Sequence, residues 1–328
     1  MTASSTSCLP DSESIRKTWQ KLTGIVKQTP VLTSETLNIL TGSKLFFKCE
    51  NFQKAGAFKF RGASSALLHI SDDQAAKGVC THSSGNHAQA LALAAKIRGL
   101  KAFIVMPENA PEVKVNAVRD YGGQITFCMP TLEARESTLE EVRKATGALF
   151  IHPYNNYNII RGQAGCFYEI LQQMDEEPDY IIAPLGGGGL LAGTILSAKY
   201  FTKKTRVIGA EPLNANDAWK SFREKRFIPS ESPLTIADGL KTSLGTKTYP
   251  IIMEHVEDII TATEQGIIDA MFLVWERMKL VIEPSAAVPL AALMENPERF
   301  QNKKTGIILS GGNTDLRRIP WLENRYHH

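Results

Sequence analysis

Short apolar runs alternate with longer amphipathic stretches along most of this chain. The pattern predicts a first amphipathic helix at 13–27 and a strand at 44–50. From about residue 60 the alternation is regular. It predicts helix 60–69, strand 78–81, helix 86–98, strand 102–106, helix 112–120, strand 124–128 and helix 131–145. It continues with strand 148–151, helix 158–174, strand 179–184, helix 190–201 and strand 205–210. Helices at 264–279 and 285–294 precede a last strand at 305–309. Strands alternating with helices predict an α/β protein with mostly parallel sheets. Turn-rich segments flank the four strand–helix units at 77–152. Two lobes are therefore expected: a small one at 77–152, inserted in a larger one made of 1–76 and 153–328. In parallel sheets ligands sit beyond the carboxyl ends of strands, so the turns after the strands are where chemistry is sought.

Composition narrows the partners. The chain has 328 residues, 22% charged and 43% hydrophobic, with a net charge of only +3. Its bases are scattered among acids, which argues against a nucleic-acid surface. No apolar run is long enough for a membrane span. Met1–Ser14 is polar, lacks the basic start and apolar core of a signal peptide, and is expected to be disordered. The five cysteines, Cys8, Cys49, Cys80, Cys128 and Cys166, form no C-x-x-C pair. That pattern fits reduced thiols of a cytoplasmic protein and no zinc site. His327-His328 reads as the remnant of a purification tag.

Gly186-Gly187-Gly188-Gly189 is the most informative turn. It follows the apolar run Tyr180–Leu185 and precedes the buried-looking run Leu190–Leu196. Bare backbone N–H groups at the positive end of a helix suit an anion, above all a phosphate. Gly187, Gly189 and Ala192 fit the G-x-G-x-x-A dinucleotide fingerprint, and Glu211 lies 22 residues beyond Gly189, where an NAD enzyme holds its ribose. On this segment alone an NAD(P) oxidoreductase remains open.

A second candidate is Lys59, flanked by Phe58 and Phe60 and preceded by the small residues Ala55-Gly56-Ala57. Desolvation disfavours the charged lysine, and a neutral amine can form a Schiff base. On local evidence alone, a surface lysine at a helix start reads as well. Four separated runs then resemble one family in the same order: Asn51–Ala63, Ser83-Ser84-Gly85-Asn86-His87-Ala88-Gln89-Ala90, the tetraglycine, and Ser310-Gly311-Gly312-Asn313-Thr314-Asp315. They look like the lysine motif, substrate loop, phosphate cup and C-terminal cofactor segment of the serine racemase and serine/threonine dehydratase family. These are pyridoxal-phosphate enzymes with the fold of the tryptophan synthase β subunit. The likeness runs from about residue 15 to about 320. Trp275–Leu280 and Ile236–Gly239 are similar to the eukaryotic serine racemase branch.

The resemblance implies a two-lobed fold and a set of roles. Lys59 holds pyridoxal phosphate as a Schiff base and, once freed, takes the Cα proton. Ser84 serves the opposite face of Cα. Ser83, Ser84, Gly85, Asn86 and His87 receive the substrate carboxylate, with Asn86 also against the cofactor's ring oxygen. From the residues alone, both serines also read as helix caps, and His87 as a structural histidine. Gly186–Gly189 hold the cofactor phosphate, and Ser310 faces the pyridine nitrogen. Glu211, the Ala215 carbonyl and Asp217 match a site for Mg2+, Ca2+ or Mn2+, whose oxygen ligands suit such hard cations. Arg135 matches an arginine on the substrate side. Asp238 and Glu283 match acids bordering the site, with no assigned role. His82 and His152 stand in no motif and read as structural. The implied reaction is interconversion of L- and D-serine with β-elimination of serine to pyruvate and ammonia. The alternative is a dehydratase of L-serine, L-threonine or 3-hydroxyaspartate. A homodimer and activation by ATP are further family properties, although no G-x-x-x-x-G-K-[ST] run is present.

There are departures from the family pattern. Arg161 stands where relatives carry Ala, Ala164-Gly165 where they carry Gly-Thr, and Thr242 where the mammalian pattern has Ser. The Tyr154–Tyr157 loop also differs. These positions fall near the expected pocket and bear on substrate choice more than on cofactor use.

Overall fold

The structure, a computed structural model, describes residues 8–323. The expected disorder of the first residues and the tag-like final histidines fall, for 1–7 and 324–328, outside the described residues. Ten strands form two sheets among the described residues. In chain order they are β1 (Val31–Leu32), β2 (Lys44–Cys49), β3 (Val79–His82), β4 (Ala102–Pro107), β5 (Gln124–Cys128), β6 (Leu149–Phe150), β7 (Tyr180–Pro184), β8 (Arg206–Pro212), β9 (Asp258–Ala262) and β10 (Lys304–Leu309). The larger sheet has the order β1-β2-β10-β7-β8-β9, the smaller β5-β4-β3-β6. Every pair is parallel except β1 with β2. The chain is an α/β protein of parallel sheets flanked by helices, as the alternating pattern predicts.

The period-2 geometry of strands explains why the central runs are apolar throughout. Ile182 of β7 and Ile307 of β10 face a core closed by helix Pro284–Met294. Their neighbours Ile181, Ala183 and Ile308 face the opposite core, closed by helices Tyr157–Gln173 and Gly189–Phe201. A strand covered on both faces has no polar side. Burying each of these isoleucines contributes about 1.5–3 kcal/mol. The smaller sheet packs Val79, Ile104 and Met106 against helices Lys59–Leu68 and Asn86–Ile97. Cys80, Val105 and Leu139 pack on its other face.

Several expectations need correction. Helix Ser12–Leu22 is fixed at its start by a capping box in which Asp11 and Ser14 bond each other's backbone, so order begins before Ser14. That helix stops five residues short of the expected 27, because Gly24 turns with φ 82°. The expected helix 264–279 is α-helical only over Glu264–Leu273; Val274–Met278 widens into a π-turn and Lys279 ends it at φ 59°. Helices Glu35–Thr41, Asp217–Glu224 and Thr248–His255 and strand β9 were not anticipated. Pro250 reads as a helix breaker, but it sits in the first turn of its helix, where its missing N–H costs nothing. No helix among the described residues is long and apolar enough to cross a membrane.

Candidate active site

Three sequence-distant runs meet at the carboxyl ends of the strands. The segment before Lys59 makes a tight reversal, with Ala55 at φ 56° and Gly56 at φ 68°. It is stitched to the end of β10: Phe58 N–H donates to Ser310 O (3.0 Å), Gly312 N–H to Gly56 O (2.9 Å), and Asn313 Nδ2 to Ala55 O (2.8 Å). Asn313 Nδ2 also donates to Asn86 Oδ1 (2.9 Å), and Asn86 Nδ2 to Glu283 Oε1 (2.7 Å). The lysine run, the serine run and the C-terminal run are thus one hydrogen-bonded unit, closed by Glu283. The Ser310 side chain makes no hydrogen bond among the described residues.

Lys59 opens helix Lys59–Leu68. Its Nζ donates to the carbonyl of Pro153 (3.1 Å) and lies 5.2 Å from the Phe58 ring. The residue is half-buried, and desolvation of the amine lowers its pKa to about 8, opposed by the Glu283 carboxyl. The same desolvation, with the charge of Asp238, pushes Glu283 up to about 7, while Lys114, the Asn86 hydrogen bond and Lys59 pull it back. Lys114 is itself buried against Asp238. Glu283 Oε2 is buried with no partner.

The serine run follows β3. Ser83 N–H donates to Val105 O (3.0 Å), and Ser83 Oγ accepts from Gly85 N–H (3.2 Å). Ser84 makes no hydrogen bond among the described residues. Helix Asn86–Ile97 has no side-chain cap, so neither serine serves as one. The first-turn N–H groups remain available to an anion. His87 is buried; Ile151 O faces its Nε2 (3.1 Å), its Nδ1 has no partner, and burial first, then Lys59, lowers its pKa to about 3.

The tetraglycine lies between β7 and helix Gly189–Phe201, which also lacks a side-chain cap. Gly188 sits at φ 84°, a conformation that favours glycine. Gly187 is required for another reason. A Cβ there would lie 2.3 Å from the Tyr154 ring, and Thr248 Oγ1 donates to the Gly187 carbonyl (2.8 Å). Tyr154, next to the Pro153 carbonyl that holds Lys59, thus joins the cup to the lysine. Glu211 has no part in this cup. It is buried at the end of β8, and its oxygens accept from Ala218 N–H (3.2 Å) and Trp219 N–H (2.7 Å). The dinucleotide reading of Gly187 and Glu211 loses its basis.

Glu211 instead pairs with Asp217. Burial and then Asp217 push the Glu211 carboxyl well above its ordinary range, and burial raises Asp217 to about 6. Asp217 Oδ1 is buried without a partner, and Ala215 precedes it in a short 3-10 turn. Two mutually repelling acids with an unsatisfied oxygen fit a cation. No group of three or more His, Cys, Asp or Glu placed to hold a metal ion occurs among the described residues, so carbonyl oxygens would have to complete a shell. Arg135 is not brought to the lysine; its Nε donates to Thr131 O (3.2 Å) on its own helix. Arg161 is buried between Asn158 Oδ1 (2.8 Å) and His69 Nε2 (3.4 Å), in no contact with the Lys59 unit.

The Glu283–Asn86 link, Tyr154 over the cup and Thr248 beneath it were given no role by sequence reasoning. The one signal was Glu283 itself, an acid at the end of the apolar run Leu280-Val281-Ile282. A desolvated lysine, an uncapped glycine turn, a free Ser310 hydroxyl and an orphaned carboxyl oxygen fit pyridoxal phosphate. Its aldehyde would meet Lys59 and its phosphate the cup.

Fold and site together define an enzyme that works through a lysine-held cofactor. The family described as "Pyridoxal-phosphate dependent enzyme" matches residues 22–311, and the chain belongs to it. The chain is 47% identical over 313 residues to the beta-hydroxyaspartate dehydratase of Paracoccus denitrificans (strain Pd 1222), covering 95% of this chain and 99% of that one. It is 46% identical over 315 residues to the serine racemase of Dictyostelium discoideum, covering 94% and 97%. The solved structure of maize serine racemase superposes with a TM-score of 0.92 at 43% identity, covering 98% of each chain.

Proposed function

We propose that the chain interconverts L- and D-serine and also eliminates water from serine, giving pyruvate and ammonia. The observation that carries this is Lys59: an amine held near pKa 8, joined through one hydrogen-bonded unit to an uncapped helix start and an unbonded Ser84 hydroxyl. Pyridoxal phosphate, when bound, supplies the electron sink that weakens the Cα–H bond. Lys59 accepts the Cα proton of L-serine, its pKa being close to the working pH. Ser84 returns a proton from the other side to give D-serine. Ser83 and the N–H groups of Gly85, Asn86 and His87 hold the carboxylate. Gly186–Gly189 hold the phosphate, and the neutral hydroxyl of Ser310 meets the ring nitrogen without fixing a proton there. Arg135 reaches the substrate only if the segment 77–152 closes toward the larger sheet, a closure that belongs to the same proposal.

The reading extends to Mg2+, or Ca2+ or Mn2+, at Glu211, the Ala215 carbonyl and Asp217. It also extends to a homodimer, activation by ATP and a cytoplasmic setting in keeping with the buried thiols Cys49, Cys80, Cys128 and Cys166. A second reading is a dehydratase of 3-hydroxyaspartate, L-serine or L-threonine with little racemisation; the 47% identity to the Paracoccus enzyme favours it. Ser84→Ala separates the two. Under the racemase reading, D-serine formation falls by about 100-fold or more while pyruvate from L-serine persists. Equal loss of both would overturn the two-face account. A wild type that forms pyruvate but no D-serine establishes the dehydratase.

A further inference from the structure

The turn after β6 holds a ring whose protonation is set by backbone geometry. His152 Nδ1 accepts from the N–H groups of Tyr154 (3.3 Å) and Asn155 (2.9 Å). A nitrogen accepting two N–H bonds carries no proton, so the neutral ring has its hydrogen on Nε2. Nε2 meets no hydrogen-bond partner among the described residues, and the residue is only half-buried. The ring is wedged edge-on against Tyr154 (4.7 Å) and tilted on Phe150 (5.6 Å), so rotation would lose two hydrogen bonds and this packing. The next residue, Pro153, gives its carbonyl to Lys59 Nζ. Burial, then His82, Lys59 and Lys247, lowers the ring's pKa to about 4. His87 is its converse, with Nε2 at a carbonyl and Nδ1 bare. Holding two amides needs only an acceptor, which Asn or Asp supplies; what imidazole adds is the donor on the far side.

We propose that His152, through Nε2–H, is a fixed, uncharged hydrogen-bond donor to the oxygen on the β-carbon of an amino acid bound at Lys59. It thereby selects β-oxygenated substrates. This rests on the reading of the site given above. A neutral donor serves a hydroxyl or a carboxylate oxygen equally, which suits serine and 3-hydroxyaspartate alike.

His152→Asn keeps an acceptor for the two amides and removes the distant N–H. The holoenzyme is assayed for pyruvate from L-serine and for deuterium exchange at Cα of L-alanine, which has no β-oxygen. The expected result is a fall of roughly 10- to 100-fold in kcat/KM for serine, with alanine exchange and the visible absorbance of the bound cofactor within about twofold of wild type. Long-range proton–nitrogen NMR of the wild type should show a neutral ring protonated on Nε2 from about pH 6 to 9. This readout stands even if the variant folds poorly, and a proton on Nδ1 would overturn the proposal. Unchanged serine turnover, or equal loss of the serine and alanine reactions, overturns it too. A wild type that performs neither reaction overturns the site reading as well. One that performs both leaves only the His152 role at stake.

Discussion

Lys59 and Arg61 stand two residues apart on one helix, in surroundings of opposite kind. Arg61 is buried and saturated. Its Nε and Nη2 donate to Glu50 (2.8 Å each), and its Nη1 and Nη2 to Glu169 (2.7 Å each). Lys48 Nζ completes the cluster through Glu169 Oε2 (2.9 Å), Thr29 O (2.7 Å) and Gln173 Oε1 (2.9 Å). Two cations meet two carboxylates; against burial, which would raise it, the charge and hydrogen bonds of Arg61, with Lys48 and Thr29, hold Glu50 below its ordinary range. Lys59, by contrast, has a single carbonyl partner, and the acid that influences it keeps one oxygen bare. A matched buried cluster fixes geometry, whereas an unmatched one shifts pKa values and leaves room for a ligand. The matched cluster joins β2 to helices Lys59–Leu68 and Tyr157–Gln173, and so anchors the helix whose first residue is the unmatched lysine.

The sharpest way to break this contrast is to remove each cation. Lys59→Ala should lower serine turnover by about 10⁴-fold or more, because cofactor attachment and the proton acceptor go together. Its melting temperature should equal or exceed that of the wild-type apoprotein, since no matched partner is lost. Thermal melts and pyruvate assays check both halves; a strongly destabilised variant would mean that Lys59 is structural. Arg61→Met should do the reverse. It strands Glu50 and Glu169 without their main partner, at a cost of about 3–5 kcal/mol read by urea denaturation. Loss of activity without loss of stability would contradict the assignment of Arg61 to the frame.

Glu211 and Asp217 form the other unmatched pair. Asp217 has its pKa raised from 3.8 to about 6. A group raised in the folded state adds stability below its unfolded pKa, and that contribution is lost as pH rises through the folded value. In metal-free protein at about pH 8 the ionised Asp217 carboxylate is therefore a liability. Asp217→Asn should raise stability there by on the order of 2 kcal/mol and change little near pH 4. Added Mg2+ should stabilise the wild type and not the variant. A variant less stable than metal-free wild type at pH 8 would refute the liability.

What could be read in the sequence follows the same division. Ile181-Ile182-Ala183 announces a strand covered on both faces, and Gly186–Gly189 and Lys59 announce their turns, because each signal is local. Strand β9 is as long as β5 and β7, and its local signal, the apolar pair Ile259-Ile260 between Asp258 and Thr261, went unread. Glu283 could not be tied to Asn86, since the bond closes a gap of 197 residues. Gly187 looked like a phosphate glycine, and its steric reason, the Tyr154 ring, is visible only in three dimensions. Arg61 and Glu169 are ordinary charges in an amphipathic pattern until the fold buries them together.

The smallest effect is the most diagnostic. The Glu283 carboxylate raises the pKa of Lys59 against the lowering by burial. Glu283→Gln keeps an acceptor for Asn86 Nδ2, supplies N–H groups where the bare oxygen stood, and removes the charge. The pKa of Lys59 should then fall below 8, and the rising limb of the pH profile for serine turnover should move to lower pH by roughly half a unit to one unit. Because Glu283 itself titrates at about 7, the two profiles should differ above that pH, where the wild-type carboxyl is ionised. An unmoved limb would mean that Glu283 stays neutral and acts through hydrogen bonds alone. A limb displaced to higher pH would show that the acid does not support the charged amine, and the coupling between Lys59 and Glu283 would have to be abandoned.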